Sequence, residues 1–363
     1  MPLNFFKAQK RIGLDIGHSN IKIAQVEPTS TGYLIQTMHS IPTPQNAVQD
    51  SVVVDIDATA DAIRQLLRQA RTDANTAHLA VAGPTVIVRT VKMPQMPEAA
   101  LRKSLRFEAA RYVPSSVEDS YVECEIIGNS SDGQMDVLIV ASPKDIVEGR
   151  IAAAESAGLE VDIVDIEAFA SYRAFVEADS DFQPTGPFVL VDIGGQITDV
   201  SVVDGGKFAL TRSIPMAGEA LTNALQSYFK LSYEEATQGK LVLDLRPLID
   251  TQGPMENPPL RVVQPLIDEL IREIRRSINY YQSQQGDTRD KKPSQLILTG
   301  GSSQMTGLPE YLSHKLGLQV ITPNFFMNPH FTFEEPSENI EQCAFGVALG
   351  LAMHKSQKMV AAA

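Results

Sequence analysis

Apolar runs of strand and helix length alternate along the chain and are separated by glycine and proline turns. Two runs at 11–16 and 20–27 flank a tight glycine turn, which is typical of a β-hairpin. Apolar residues recur at helical spacing over 57–71 and again over 263–284, which predicts two amphipathic helices. A short buried strand is predicted at 295–299. Together these elements predict an α/β fold.

One stretch of sequence occurs twice. Residues 14–26 read LDIGHSNIKIAQV and residues 191–203 read VDIGGQITDVSVV, and the two align without a gap so that Asp15 matches Asp192. Each copy predicts a strand, a glycine turn and a second strand. The repeat therefore predicts a duplicated fold with two facing hairpins and a carboxylate at the tip of each. Two such tips around one cleft could hold a phosphate chain and its metal ion.

The segment 86–166 predicts a compact unit with the element order βαββαβ. We interpret it as a small subdomain inserted into the first half of a two-lobe molecule. The predicted organisation is a first half at 10–91, an inserted subdomain at 92–165, a second half at 166–355 with 241–294 as its outer part, and flexible tails at 1–9 and 356–363.

Composition narrows the class of protein. The chain has 363 residues, 43% of them hydrophobic, which is enough to bury a core in two lobes. Its net charge of −13, with scattered Lys and Arg, lacks the basic footprint of nucleic-acid binding, so no nucleic-acid partner is expected. Cys124 and Cys343 lack metal-ligand spacing and are expected to be reduced, buried thiols. No apolar run approaches the roughly 20 residues that cross a bilayer, and the N-terminus is too short and polar for a signal peptide.

The first hairpin turn has the chemistry of a phosphate-binding loop. A glycine at position 17 lets the chain approach a ligand closely, and successive backbone N–H groups can point into one concavity. Lys22 adds a positive charge from the returning strand, and Asp15 could hold Mg²⁺ through water molecules. The backbone donors are expected to be Gly17, His18, Ser19 and Asn20.

The second turn repeats this chemistry, with Asp192 as the second metal carboxylate. Its expected phosphate contacts are Gly194, Gly195, Gln196 and the hydroxyl of Thr198. A single Asp-Ile-Gly hairpin is more often an ordinary β-turn. Two aligned copies followed by a third glycine motif favour the functional interpretation instead.

The third motif lies at 296–312, where a buried strand ends in Gly300-Gly301 and a helix begins soon afterwards. The backbone at such a turn can pass close to a nucleotide, and the N–H groups that follow, beginning at Ser302, can meet phosphate. A strand, two glycines and a helix are weak evidence alone. Their position after both hairpins strengthens them.

These three motifs, in this order, resemble the actin-like ATPase superfamily, whose fold is RNase H-like. Residues 12–22 resemble its first phosphate motif, 189–199 its second and 297–302 its adenosine motif, while the small residues over 342–353 resemble its connecting helix. Within the superfamily, the stretch 86–114 and the segments around 137–147 and 158–170 are similar to the PilM family of type IV pilus assembly and, more distantly, to FtsA.

The resemblance implies an ATP–Mg²⁺ site between the two lobes. It places Lys240 beside the adenine or ribose and makes Glu167 the candidate for orienting an attacking water. The chain departs from the family at His18, where Ser or Thr is common, and at Thr237, where a Glu is often present. Weak ATP hydrolysis and binding alone fit the sequence equally well.

The resemblance also implies the partners and the location. The PilM family takes the short cytoplasmic N-terminal segment of the membrane protein PilN in a groove that involves the inserted subdomain, and thereby joins other pilus proteins of the inner-membrane complex. The expected location is cytoplasmic and peripheral to the inner membrane through this partner, with a role in twitching motility. Nucleotide state is expected to tune partner binding, and a homo-oligomer is left open.

Two other functions are known for proteins of this superfamily. FtsA is a filament-forming, membrane-tethered division protein with a C-terminal amphipathic helix, whereas this chain ends in LAMHKSQKMVAAA, which lacks a long apolar face. A small-molecule kinase of the same fold would need a further general base and an acceptor pocket, and no distinct motif for either is found.

Overall fold

The computed structural model describes residues 10–111, 116–129, 133–179, 182, 184–249, 257–284, 292–334 and 342–355, without the side chains of Arg106 and Asn129. The predicted tails at 1–9 and 356–363 lie outside these residues. No helix within the described part of the chain combines the length and apolar character that a membrane crossing requires.

The first part of the chain forms a strand meander and a helix. Asp55 caps the helix, because its side chain accepts a hydrogen bond from the Ala58 N–H at 2.9 Å, and the apolar stripe that includes Ile63 and Leu66 is buried. The elements are β1 (Arg11–Ile16), β2 (Asn20–Pro28), β3 (Tyr33–Pro42), β4 (Val48–Gln49), β5 (Val52–Val53), α1 (Ile56–Gln69) and β6 (Thr76–Val81).

The next segment was predicted to be one inserted βαββαβ subdomain, and this prediction is wrong for its last two elements. Its elements are β7 (Ile87–Pro94), α2 (Glu98–Ala109), β8 (Ser120–Asn129), β9 (Gln134–Pro143), α3 (Lys144–Ser156) and β10 (Glu160–Ile166). The strands β7, β9 and β8 form a separate antiparallel sheet that packs on α2.

The helix α3 and the strand β10 belong to the first half of the fold instead. β10 pairs in parallel with β6, and Ala153 and Ala154 of α3 pack in the same core as α1. The order of elements alone could not show this, because the pairing of β10 depends on contacts with residues about 80 positions earlier. The predicted domain boundaries themselves remain a prediction, and β7 spans the one placed between 91 and 92.

The second half begins with a helix that ends in a π-helical turn over Arg173–Glu177. Its elements are α4 (Glu167–Tyr172), β11 (Phe188–Ile193), β12 (Thr198–Asp204), β13 (Lys207–Ile214), α5 (Gly218–Phe229), α6 (Tyr233–Leu241), α7 (Pro258–Gln284), β14 (Gln295–Thr299), α8 (Leu308–Leu316), β15 (Gln319–Ile321), β16 (Phe331–Phe333) and α9 (Gly346–Ala352).

The strand orders of the two large sheets confirm the predicted duplication. The first sheet runs β10-β6-β1-β2-β3-β16, and the second runs β15-β14-β11-β12-β13. Strands β1, β2, β3, β6 and β10 therefore correspond to β11, β12, β13, β14 and β15. The first sheet has one further strand, since β16 comes from the second half of the chain and pairs in parallel with β3.

Alternation along the two central strands decides which side chains face the space between the sheets. Ile12 and Leu14 pack with α1 and α3, whereas Gly13 faces α9. Val189 and Val191 pack with α5 and α7, whereas Leu190 belongs to an apolar cluster that also contains residues of β2, β3 and α9. The period of two then places Asp15 and Asp192 on the inner faces of their sheets.

Small residues let α9 lie between the two halves. A Cβ atom at Gly13 would lie 1.9 Å from the Ala348 carbonyl oxygen, and one at Gly350 would lie 1.8 Å from the Ala170 carbonyl oxygen. The Arg173 guanidinium donates to the Gly350 carbonyl at 2.7 Å and pairs with Asp165 at 2.9 Å. The helix α9 is thus in backbone contact with both β1 and α4.

We expect Gly13→Ala to lower the free energy of unfolding by about 2 kcal/mol, because the new methyl group would overlap the backbone of α9. Urea denaturation of the purified variant measures this. Gly239→Ala is the matched control, since among the described residues no atom outside the neighbouring backbone of α6 lies within 4 Å of its Cβ position. The control should be at least as stable as the original chain, because alanine favours a helix more than glycine does. An equal loss in both variants would contradict the packing argument.

Candidate functional site

The first hairpin turn is closed by a hydrogen bond from the Gly17 N–H to the Asn20 carbonyl at 3.1 Å. The prediction that Asp15 lies at the tip of the hairpin is wrong. Asp15 lies one residue before the end of β1, directly opposite Lys22 of β2. The Lys22 ammonium donates to the Asp15 carboxylate at 2.8 Å, and both side chains are largely buried. The first hairpin therefore contains a buried ion pair beneath its glycine turn.

The Lys22 ammonium interacts with carboxylates other than that of Asp15, its ion-pair partner. Burial by itself lowers the pKa of Lys22, but the Asp15 carboxylate, and after it Asp192 and Glu167, raise the pKa above its usual value overall. The Lys22 side chain therefore remains protonated, and its positive charge attracts carboxylates from both halves of the molecule.

The second hairpin carries an acid where the first carries Lys22. Asp192 of β11 lies opposite Asp199 of β12 in the strand register. The Thr299 hydroxyl donates to Asp192 at 3.1 Å, and the Ser213 hydroxyl donates to Asp199. Burial raises the pKa of Asp192 to about 6, and burial together with the charge of Asp192 raises the pKa of Asp199. Both carboxyl groups are thus held where ionisation is costly.

Glu167 completes this group as the first residue of α4. Burial, followed by the charges of Asp15 and Asp199, raises its pKa far above the usual range. A small cavity is lined by Glu167, Asp192 and Asp199, with Ala168, Ser171, Leu190 and Ser201. The predicted water-orienting residue and the second metal carboxylate therefore face one space.

Sequence reasoning missed Asp199. The signal was present, because Asp199 aligns with Lys22 when the two copies of the repeat are superimposed. A residue at that place points to the same face as the aspartate opposite it. Asp15, Asp192, Asp199 and Glu167 form the set that we name the acidic cluster.

The acidic cluster is short of positive charge. Its nearest cations are Lys22 and Arg150, a buried residue of α3 whose guanidinium donates to the Ile146 carbonyl at 3.1 Å. Within the described residues, no three His, Cys, Asp or Glu side chains are arranged to hold a metal ion directly.

The third motif is joined to the second hairpin turn. Gly300 has a φ of 91°, and a Cβ atom there would lie 2.4 Å from the Ile193 carbonyl oxygen, so only glycine fits. The Ser302 hydroxyl donates to the Gly194 carbonyl at 2.9 Å. Gly301 follows with open space around its Cβ position, whose nearest atom is 3.9 Å away on Ala344.

Lys240 also reaches this junction. It is 8% exposed, and its ammonium donates to the Gly218 carbonyl at 3.1 Å, while the Gly218 N–H donates to the Gly194 carbonyl at 3.2 Å. Thr237, which stands where the superfamily often has Glu, donates its hydroxyl to the Tyr233 carbonyl within α6. The helix thus places the Lys240 ammonium at the start of α5, next to the second turn, and its position beside adenine or ribose stays a prediction.

The two predicted phosphate turns meet at His18, Ser19 and Gly195, where a Cβ atom at Gly195 would lie 2.4 Å from the Ser19 hydroxyl oxygen. The predicted donors Gly17 and Gly194 are already used within their own turns, because their N–H groups donate to the Asn20 and Ile197 carbonyls at 3.1 Å and 3.0 Å. Thr198 is fully buried, and its hydroxyl donates to the Met216 carbonyl at 2.7 Å. Its predicted contact with phosphate stays a prediction.

Two equivalent sheets whose hairpin turns meet beside a Gly-Gly turn define the actin-like ATPase α/β fold. The chain belongs to the family of type IV pilus assembly protein PilM, whose family model matches residues 13–356. Both levels of the resemblance drawn from the motifs are therefore confirmed.

Individual relatives agree with this assignment. The chain is 24% identical over 392 residues to the cell division protein FtsA of Pseudomonas aeruginosa, covering 96% of this chain and 89% of FtsA. It is similar to the solved PilM–PilN type IV pilus biogenesis complex, with a TM-score of 0.81, 26% identity and coverage of 95% of this chain and 98% of that one. EutJ of Carboxydothermus hydrogenoformans shares the fold, with a TM-score of 0.55, 19% identity and coverage of 95% and 89%.

We expect Asp192→Asn to reduce the dependence of stability on pH. A carboxyl group whose pKa is raised to about 6 in the folded chain keeps its proton longer than in the unfolded chain, so its contribution to stability is lost as the pH rises through 6. Between about pH 5 and pH 8 this loss amounts to about 1.5 kcal/mol, and the variant should avoid it.

Urea denaturation at the two pH values measures this difference. Asp57→Asn is the control, because Asp57 is exposed at the start of α1 and far in sequence from the acidic cluster. A variant at position 192 that loses stability between the two pH values as steeply as the original chain would contradict the assigned origin of the shift.

Proposed function

We propose that this chain is an ATP-binding scaffold of type IV pilus assembly that binds the cytoplasmic N-terminal segment of PilN, with nucleotide state tuning that binding. The observation that carries the nucleotide part is the acidic cluster, four carboxyl groups around one ammonium where both phosphate turns and the Gly-Gly turn meet. Membership of the PilM family and the similarity to the PilM–PilN complex support the partner.

The residues at the junction fit ATP–Mg²⁺. Backbone N–H groups of the two turns bind the phosphates, Lys22 adds positive charge, and Gly300, Gly301 and Ser302 lie along the nucleoside. Asp15 and Asp192 would hold Mg²⁺ through its water molecules, because Mg²⁺ gives up its waters reluctantly. The bound cation then supplies the positive charge that the acidic cluster lacks.

Glu167 is the residue proposed to orient water for hydrolysis. Its raised pKa keeps it protonated at neutral pH without a cation, and a nearby Mg²⁺ favours the ionised form. An ionised Glu167 can accept a proton from water, whereas the protonated form cannot. Hydrolysis is therefore coupled to metal binding, and turnover is expected to be weak.

The partner site is proposed to involve the three-stranded sheet of β7, β9 and β8. The Thr90 hydroxyl of β7 donates to the Phe208 carbonyl of β13 at 3.0 Å, so this sheet contacts the second half of the fold directly. A change in the relative position of the two halves would therefore also shift β13 against the three-stranded sheet. Binding PilN would keep the chain in the cytoplasm at the inner membrane, within the assembly complex that supports twitching motility.

We expect Asp15→Asn and Asp192→Asn to weaken ATP binding at least tenfold when Mg²⁺ is present, because each removes a charge that attracts the metal. Calorimetric titration with ATP, with Mg²⁺ or with a chelator, measures this. In the presence of the chelator the variants should differ little from the original chain. The control is Asp57→Asn, which should bind as the original chain does.

An equal affinity of the original chain and both variants for ATP–Mg²⁺ would exclude these two carboxylates from the metal site. If the original chain bound no ATP under any condition, the nucleotide part of the proposal would be wrong, and the family assignment would stand without it.

We expect a synthetic PilN N-terminal peptide to bind more tightly in the presence of ATP–Mg²⁺, because closure around the nucleotide and partner binding favour the same state. By linkage, ATP must then bind more tightly by the same factor when the peptide is present. Calorimetry in both directions tests this, with a scrambled peptide as the control. Equal peptide affinities with and without nucleotide would leave a static adaptor.

A further inference from the structure

The His18 side chain connects the two halves of the molecule at the phosphate turns. Its Nδ1 lies 2.9 Å from the Val48 carbonyl oxygen of β4, and its Nε2 lies 3.0 Å from a carboxylate oxygen of Glu219 in α5. About a fifth of each side chain is exposed, at 19% for His18 and 22% for Glu219. The contact is therefore partly shielded from water.

Both nitrogens of the ring face hydrogen-bond acceptors. A carbonyl oxygen and a carboxylate can only accept, so both contacts form together only when the imidazole carries two protons and a positive charge. A neutral ring has one donor and must give up one contact. Either the bond to β4 or the bond to α5 is then lost.

Glu219 binds the second turn through its backbone and the first turn through its side chain. Its N–H donates to the Gly195 carbonyl at 2.8 Å, and Gly195 is the residue whose Cβ position lies 2.4 Å from the Ser19 hydroxyl oxygen. Glu219 also lies in the first turn of α5, where a negative charge is favoured. The pair of His18 and Glu219 thus lies where the two turns touch.

Few other charges face this pair. From its own hairpin, Asp15 and Lys22 are paired with each other, and β4 contributes only a carbonyl oxygen. From α6, the Tyr233 phenol lies near enough that burial and then the charge of Glu219 raise its pKa. Among the described residues, Glu219 is therefore the charged group in hydrogen-bond contact with His18.

We propose that protonated His18 and Glu219 form a latch that holds the two phosphate turns together and opens when His18 loses its charge. The latch bears on the nucleotide site of the proposed function, but it acts between residues of this chain and needs no nucleotide. It gives His18, at the position where the family often has Ser or Thr, a role for its side chain beyond the backbone contact expected of the turn.

Hydrogen exchange of the nucleotide-free chain tests the latch. Protection factors for amides of 14–22 and 191–199, corrected for intrinsic rates, are measured at about pH 6 and about pH 8, on either side of ordinary histidine titration. At the lower pH, His18→Gln and Glu219→Gln should each reduce protection about tenfold, the value of one hydrogen bond to a charged group. The double variant should lose no more than either single variant.

As the pH rises, the acidic cluster should lower protection in the original chain and in the variants alike. The original chain should lose more protection than the variants, because it alone also loses the latch. Exposed His39 of β3 supplies the control, since His39→Gln should behave as the original chain. Losses that add in the double variant, or protection of the original chain that is equal at both pH values, would overturn the latch. Glu219→Gln keeps an acceptor and a similar shape, so it tests the pair even where His18→Gln folds poorly.

A separate titration with ATP distinguishes the two proposals. Failure of ATP to bind, with pH-dependent protection intact, would remove the nucleotide site and support the latch. Normal ATP binding with protection that ignores pH and both substitutions would overturn the latch and support the nucleotide site.

Discussion

The burial of like charges where the two halves meet is the constraint on which the site depends. Asp15, Asp192, Asp199 and Glu167 share one region with the Lys22 ammonium, and burial is the first cause of the raised pKa of Asp192, of Asp199 and of Glu167. Such a cluster costs stability unless a cation joins it or a proton stays on it. In the chain alone, the raised pKa values favour keeping protons on the cluster, whereas a metal-bound nucleotide would bring a cation to it.

Packing keeps these charges close together. The inner faces of the two sheets are joined by α4 and α9, whose backbones touch at glycine positions, and by an aromatic group in which Phe175 stacks on Phe325 at 4.8 Å. Because these helices are in backbone contact, a shift of one relative to the other would require the packing between them to change. The residue that begins α4 is Glu167, so the same helix that connects the halves also carries a member of the acidic cluster.

Local patterns were sufficient for most elements and for the turns of the site. The repeat located both hairpins, and the third motif located the turn at which Gly300 has a φ of 91°. The predictions that were wrong or missing concerned contacts between residues far apart in the sequence. The pairing of β10 with β6 places β10 in the large sheet and not in the small one. The three-residue strand β16 is likewise defined by its pairing with β3, at the edge of the sheet. The contact between His18 and Glu219 likewise joins residues 201 positions apart and has no local signal.

The differences between the two copies of the repeat say more about the site than their identities do. Where the first copy has Lys22 the second has Asp199, so the second hairpin has no cation opposite its aspartate. Where the first copy has His18 the second has Gly195, and a Cβ atom at Gly195 would lie 3.5 Å from the His18 ring. A ring on one turn and no side chain on the other allow the turns to touch. A perfectly symmetric duplication would either leave a gap at this point or place two rings in the same space, so the loss of symmetry is what closes the junction.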